Sequence, residues 1–564
     1  MKKLPGFLFG ALVLNLPPFA FSSPIPRNEI LSQLEKSSET ELKDLFNVRN
    51  HKGESIFRSS RKLEAGIWAT RDPLRDGIEG TSTDLVYRRF RIPLRRSPVI
   101  VAVIDGGIDI SHPELRNKLW TNNAELNGKP GIDDDGDGYV DDVYGWNFIG
   151  NRDGRNLNET NLEVARVFSL LKKKQMQGPL SASEAELFEK VERELGSAID
   201  SANKNLIRYE AFLSAIETLK QHGLKEETLK ALEEIPPENE TIRTALSLAR
   251  RVFSNGITSV EIREGIQYFR TSLKYHLNPG FDASAVIGDD PGNLEEKGYG
   301  NPDVTGPDSL HGTHVAGIIA ANRDNSFGIE GQARTIRIMA IRAIPDGDER
   351  DKDVANAIRF AVDHGAHIIN MSFGKSYSPE KHVVDEAVRY AETRGVLLIH
   401  AAGNDNRNTE GEEKNYPNRV LGSLTGKSTE ATNWIEVGAS GPKRDSQLPA
   451  SFSNYGRTTV DVFAPGVGIV STAPGNRYRA LDGTSMAAPE VAGVAALLWG
   501  KVPSANSRDI KTAILSSVNL YPGLMCEMPG SGAEKNPVLV PFENLSITGG
   551  TVNAFESMRW LLAH

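Results

Sequence analysis

Hydrophobic positions along the chain change period in a regular way. Val99 to Ile104 is an unbroken apolar run that ends at Asp105, the length and composition of a buried strand. Farther on, Asp353 to His364 carries apolar residues at helical spacing and stops at Gly365, and His367 to Met371 reads as a strand. Glu380 to Arg394 is again helical and stops at Gly395, and Val396 to Ala401 is strand-like. Glycine just past a helix accepts the left-handed cap, and short turns into β-branched runs suit crossovers between parallel strands. The pattern from about Pro98 onward predicts an α/β fold, a parallel sheet with helices on both faces. Ligand chemistry in such a sheet belongs at the carboxyl ends of the strands.

Between about 151 and 300 the strand signal disappears and long, charged, amphipathic sequence takes over, which predicts an α-helical insertion. Leu187, Val191, Leu195, Ala198, Ala202, Leu206, Tyr209, Leu213 and Ile216 form one stripe near the 3.6-residue period, and Ser183 with Glu186 offers a capping box at its start. Pro236-Pro237 breaks the chain, and Thr241 to Phe253 and Val260 to Leu277 give two further amphipathic stretches. Two roles suit such a hairpin or bundle: a body buried against itself and the main domain, or an arm beside the functional site.

Residues 1–22 begin with Lys2 and Lys3, continue through an apolar run and end in small residues, as a secretory signal peptide does. A membrane anchor is the competing reading, but Asn15, Pro17 and Pro18 interrupt the run. The chain is therefore expected to be exported, to the periplasm or beyond the cell, with no stable membrane insertion after cleavage. Residues 23–95 read as an N-terminal arm or a propeptide-like segment; Trp68 and Asp84 to Tyr87 favour the arm. The remaining partition is 96–150 and 301–564 for one split domain and 151–300 for the insertion.

The 564 residues carry a formal net charge of −9 at ordinary hydrophobic content, which argues against nucleic acid as a partner and against disorder. A single cysteine, Cys526, excludes an internal disulfide, so stability outside a cell rests on packing or bound ions. Oligomeric state is not legible.

Four separated segments bear chemistry. Asp105 ends the first strand. His311-Gly312-Thr313-His314-Val315-Ala316-Gly317 sets a histidine at the mouth of a small-residue helix. His311 and His314 could be a metal pair, but a third ligand at zinc spacing and the glutamate of a zinc protease are both missing. Gly483-Thr484-Ser485-Met486-Ala487-Ala488-Pro489 opens a helix and puts Ser485 and its N–H where the dipole favours a developing anion. Ala401-Ala402-Gly403-Asn404 follows a strand and supplies a side-chain amide.

The order Asp, His, Asn, Ser, with these flanking residues and Asn370-Met371-Ser372-Phe373-Gly374, resembles the subtilisin family of serine proteases. The resemblance covers about 96–150 and 300–564. It implies a subtilisin-like fold and an endopeptidase acting on proteins or peptides without an organic cofactor. It implies Asp105, His311 and Ser485 as the triad and Asn404 as oxyanion donor. Ser372, Phe373 and Gly374 would pair with the substrate backbone and, with Ala401, Ala402 and Gly403, line the pocket for the residue before the scissile bond. The alternative is a catalytically latent peptide-binding protein on the same fold. A lipase-like hydrolase is disfavoured by the triad order and by Gly-Thr-Ser-Met-Ala, which lacks the second elbow glycine.

The loop 131–144 presents carboxylates at 133, 134, 135, 137 and 141 and glycine at the sixth position of an EF-hand-type start. Tyr144 stands where the bidentate glutamate belongs. Such crowded carboxylates repel unless a hard cation joins them, so calcium is expected on Asp133, Asp135, Asp137, Tyr139 and Asp141; a merely solvated acidic loop is the other reading. The segment 131–148 also resembles an insertion found in some bacterial subtilases.

Overall fold

Strand β1 (Val99–Asp105) shows how the sequence builds the body of the fold. Val99, Val101 and Val103 pack into an apolar cluster on one face of the sheet, while Ala102 and Ile104 join a second cluster on the other, as the period-2 pleat requires. This is the computed structural model of the chain, and it describes residues 68–90, 97–411, 414–422, 428–531 and 537–564. The proposed signal peptide and the first part of the N-terminal arm lie outside the described residues.

The strands of the main sheet are β1, β2 (Gly145–Asn147), β3 (Ile336–Arg342), β4 (Ile368–Met371), β5 (Leu397–Ala401), β6 (Trp434–Ser440), β7 (Val462–Pro465), β8 (Asn519–Leu520) and β9 (Gly550–Thr551). Their spatial order is β8-β9-β7-β6-β5-β4-β1-β3-β2. Every pairing is parallel except that of the two-residue edge strand β8 with β9. The order grows outward from β1 through β3 on one side and through β4 to β7 on the other. Sites in doubly wound sheets form at such a switch point.

The helices used below are α1 (Thr83–Arg89), α2 (Glu163–Gln177), α3 (Ala182–Gln221), α4 (Glu240–Phe253), α5 (Ser259–Thr271), α6 (Leu310–Ala320), α7 (Asp351–Asp363), α8 (Lys381–Thr393), α9 (Thr484–Lys501), α10 (Ser507–Ser516) and α11 (Ala554–Ala563). Helices α6 and α9 cover one face of the sheet with Val315, Ile319, Val491 and Leu498; α7 and α8 cover the other with Ile358, Phe360, Ala387 and Val388. Helix α9 is wholly buried and, Glu490 aside, carries small and apolar residues from Met486 to Gly500, which is why its hydropathy pattern has no polar face. Trp68 belongs to the first core cluster and donates its indole N–H to the Val467 carbonyl at 3.2 Å.

The chain divides into two compact units, and among the described residues these are 192–269 and 68–191 with 270–564. The separately compact part is thus narrower than the expected insertion 151–300. In it, α3 buries Leu195, Ala202, Tyr209, Phe212 and Ile216, and α4 buries Ile242, Ala245, Ala249 and Val252. Leu187, Ala198, Leu206 and Leu213 of the expected stripe are only half-buried, while Phe212, outside the stripe, is fully buried. Gly265 of α5 lies against Tyr209 so closely that a Cβ there would come 2.3 Å from the ring. The capping box at the start of α3 is formed two residues earlier than expected: Glu184 accepts from the Ser181 N–H at 2.9 Å, and its own N–H donates to Ser181 Oγ at 3.3 Å.

Candidate active site

Asp105 is delivered by the last position of β1 and is almost fully buried. Its Oδ1 accepts from the following N–H of Gly106 at 2.7 Å, which fixes the carboxylate at the sheet's edge. His311, in the first turn of α6, brings Nδ1 to 2.8 Å from Asp105 Oδ1 and 2.9 Å from Oδ2. This close docking requires glycine at 312, since a Cβ there would lie 2.3 Å from the Gly107 carbonyl and 3.0 Å from Asp105 Cβ. Arg342, at the end of β3, is buried beneath the turn and donates from Nε to the Gly106 carbonyl at 2.8 Å. His314, one turn beyond His311, points elsewhere: its Nε2 donates to the carbonyls of Ile469 and Arg479 at 3.1 and 2.9 Å. Burial pushes its pKa down to about 3, so it stays neutral, and the two histidines do not form a metal pair.

Ser485 is the second residue of α9, and its Oγ donates to the Ser372 carbonyl at 3.1 Å. The Ser372 hydroxyl in turn donates to the Ser485 carbonyl at 3.0 Å, tying the end of β4 to the start of α9. Asn404 follows β5. Its Oδ1 accepts from the Thr484 N–H at 2.8 Å and from Thr484 Oγ1 at 3.0 Å, which settles the amide orientation and turns Nδ2 to the opposite side. The same Thr484 hydroxyl accepts from the Gly403 N–H at 3.1 Å. A Cβ built on Gly483 would lie 3.5 Å from the Ser485 backbone nitrogen and 3.7 Å from Asn404 Nδ2, so both donors border one small volume beside the serine. Two N–H groups converging at a helix N-terminus suit an oxyanion.

These residues open onto a cleft lined by Ser372, Phe373, Gly374, Ala401, Gly403, Asn404, Thr484 and Ser485 on one part and by Ile344, Gly347, Asp348, Glu349, Asp405 and Asn415 on the rest. Ala402 stands apart from the other expected pocket residues: its side chain is buried in a cluster with Leu448 and Phe463, and its carbonyl accepts from Asn454 Nδ2 at 2.9 Å. Asn454 also accepts from the N–H groups of Asp405 and Arg407, both at 3.0 Å, and so shapes the turn after Asn404. Asn415 donates to the Ala401 carbonyl at 3.1 Å. Thr484, Asn415 and Asn454 escaped the sequence reading because their partners lie far along the chain; only the identity of Thr484, beside Ser485, was in view.

Behind Asp348 and Glu349 lies a buried ionic network. Arg166 of α2 donates to the carbonyls of Asp348 and Glu349, each at 3.0 Å, and Lys375 donates to the Glu349 carbonyl at 2.9 Å. Lys375 also contacts Glu163 and Asp351 at 2.8 and 2.9 Å. Burial would raise the Glu163 pKa, but Arg166 and Lys375 outweigh it and hold the group down at about 2.

The acidic loop 131–144 gathers differently from the expected ligand set. Carboxylate oxygens of Asp133 and Asp135 cluster with one from Glu125, supplied by the one-turn helix Asn123–Leu126, all within 4.8 Å of one another. Asp137 instead joins Asp142 and His364, with His364 Nε2 2.6 Å from Asp137 Oδ2. The Tyr139 ring packs edge-on against Trp146 and Phe360, and Asp141 accepts from the Gly131 N–H at 2.7 Å, so neither side chain joins the acidic trio. The trio offers only hard oxygen donors and could hold a divalent cation of calcium type.

An Asp–His pair, a serine at a helix N-terminus and two N–H donors bordering one volume thus stand at the carboxyl ends of a doubly wound parallel sheet, where such folds carry their chemistry. The chain belongs to the subtilase family, whose family model matches residues 96–536. It is 38% identical over 268 residues to the thermophilic serine proteinase of Bacillus sp. (strain AK1), a match that covers 47% of this chain and 59% of that protein. It is also 38% identical over 218 residues to subtilisin BL of Lederbergia lenta, covering 37% of this chain and 73% of the relative. The same identity holds over 218 residues for the thermostable alkaline protease of Halalkalibacterium halodurans, of which 54% is covered. No helix among the described residues is long and apolar enough to cross a membrane.

Proposed function

We propose that the protein is an exported serine endopeptidase that hydrolyses peptide bonds through Asp105, His311 and Ser485 and an acyl-enzyme. The observation that carries this reading is the docking of His311 Nδ1 on both Asp105 oxygens at 2.8 and 2.9 Å, in a chain whose Ser485 and Asn404 line one cleft. A serine hydroxyl is a weak nucleophile at neutral pH and needs a base. Asp105 keeps the Nδ1 proton in place, so Nε2 is the basic nitrogen; it takes the Ser485 proton as Oγ attacks the substrate carbonyl. The oxyanion then accepts from the Ser485 N–H and Asn404 Nδ2. Collapse breaks the C–N bond, His311 returns the proton to the departing amine, and water releases the acyl group by the same steps in reverse roles. Extended substrate backbone lies along Ser372 to Gly374, with Ala401 and Gly403 walling the first pocket.

Export rests on the N-terminal apolar run. Calcium, held by Glu125, Asp133 and Asp135, would cancel mutual repulsion in the loop beside β2 and stabilise the fold; it takes no part in the chemistry. Ser485→Ala should cut peptide turnover by at least about 10⁴-fold with unchanged far-ultraviolet circular dichroism. Wild-type turnover in that variant would refute the proposal.

A further inference from the structure

Among the described residues the cleft is lined by three carboxylate residues, Asp348, Glu349 and Asp405, and by no lysine or arginine. Two of the three stand on the buried network described above, and its hydrogen bonds can be followed donor by donor. The Lys375 ammonium has three protons and three partners: Glu163 Oε2 at 2.8 Å, Asp351 Oδ1 at 2.9 Å and the Glu349 carbonyl at 2.9 Å. Arg166 spends all five N–H groups on Glu163, on the Asn161 carbonyl and on the carbonyls of Asp348 and Glu349, at 2.5 to 3.1 Å. Asp348 Oδ2 accepts from the Glu163 N–H at 2.7 Å. The Glu349 carboxyl receives nothing from either cation. Its Oε1 is buried with no hydrogen-bond partner among the described residues, in a residue only 2% exposed.

A buried carboxyl oxygen without a donor is destabilising, a cost that a merely structural residue would be expected to avoid. The network holds four acids, Glu163, Asp348, Glu349 and Asp351, against two cations, whose side-chain contacts go to Glu163 and Asp351, so an ionised Glu349 has no cation of its own beside the cleft. A guanidinium or ammonium would supply both the missing donor and the missing charge.

We propose that Glu349 is a specificity-determining residue that receives a basic side chain of the substrate on the N-terminal side of the scissile bond. The inference rests on the endopeptidase reading and narrows its substrate class. The Gly347-to-Glu349 wall is held rigidly by Arg166 and Lys375 through its carbonyls, so the carboxyl is fixed before substrate arrives and little ordering is left to be done on binding. Burial raises the Glu349 pKa to about 8, with Lys375 opposing and Asp348 and Asp351 reinforcing. The remaining charged groups of the network are Glu163 and Arg166 on α2. A bound cation favours the ionised form, so the preference should grow as pH rises toward 8.

The test uses the full chain and peptide pairs that differ only by arginine or citrulline at one of the four positions before the scissile bond. The readout is the ratio of kcat/KM within each pair. Wild type should favour arginine by about tenfold or more at one position, the scale of one charge-assisted contact, and the ratio should rise between pH 6 and 9. Glu349→Gln should bring the ratio at that position to within about twofold of unity. A wild-type ratio near unity at every position, or a high ratio that survives Glu349→Gln, overturns the proposal. If Glu349→Gln does not fold, the wild-type ratio decides by its pH profile, and a flat profile overturns it. If wild type cleaves neither peptide and takes no fluorophosphonate, the endopeptidase reading fails. Calorimetric binding of the same pairs to Ser485→Ala then decides the Glu349 proposal, with equal affinities overturning it.

Discussion

Thr484 has no proton-transfer role, yet its hydroxyl and N–H both bond Asn404 Oδ1, and its oxygen takes the Gly403 N–H. It therefore decides where Asn404 Nδ2 points. Thr484→Val keeps the shape and removes the hydroxyl; kcat should fall by about tenfold with KM little changed, because an ill-held donor weakens only the transition state. Asn404→Ala removes the donor itself and should lower kcat by about 10²–10³-fold, the magnitude established for one such donor in subtilisin. Equal kcat in either variant and wild type, measured on one peptide substrate, would detach that residue from the oxyanion. At this scale the motifs made Asp105, His311, Asn404 and Ser485 legible, since each carries its own flanking signature. Arg342, Asn415 and Asn454 carry none: each acts through hydrogen bonds to carbonyls or N–H groups that only the fold brings near.

Helix α9 joins the site to the core, and its burial has a pH consequence. Glu490 is buried with the Gln332 amide as its partner, and burial raises its pKa from 4.5 to about 8. A raised carboxyl pKa means that the folded state holds a proton the unfolded chain has released. The stability this contributes is complete below about pH 4.5 and is lost as pH rises through 8. Relative to Glu490→Gln, wild type should lose about 1 kcal/mol per pH unit between pH 5 and 8 in denaturant melts. Parallel stability curves would contradict this. The acidic loop gives a second element-level test. A chelator should lower the thermal midpoint by several degrees, and Glu125→Gln should remove most of that response. A midpoint indifferent to both chelator and added calcium would remove the cation from the account. The loop's acidity was plain in the sequence, but Glu125 was not, because it arrives from a one-turn helix that has no hydrophobic period. The α3 capping box was misplaced by two residues for a similar reason: Ser181 and Ser183 both precede a glutamate by three positions, and only the backbone chooses between them.

Across the whole molecule, period-2 and period-3.6 patterns made the parallel sheet and its two helix layers readable, since strands buried on both faces are continuous apolar runs. Strand order was not readable from pattern alone. Neither were the limits of the separately compact unit, because α3 and α5 run through its boundaries without a break in period. All members of the candidate site lie in the other unit, so replacing 192–269 by a flexible linker should leave Ser485 reactive toward an active-site label. Loss of labelling in a folded excision variant would show that the site depends on that unit. The central claim is that Ser485 is a nucleophile activated by His311 and Asp105. Intact-protein mass after exposure to a fluorophosphonate tests it most directly, with Ser485→Ala alongside. One adduct, mapped to Ser485 and missing from the variant, is the predicted result; a folded protein that takes no adduct, or takes it equally in both, would contradict the claim.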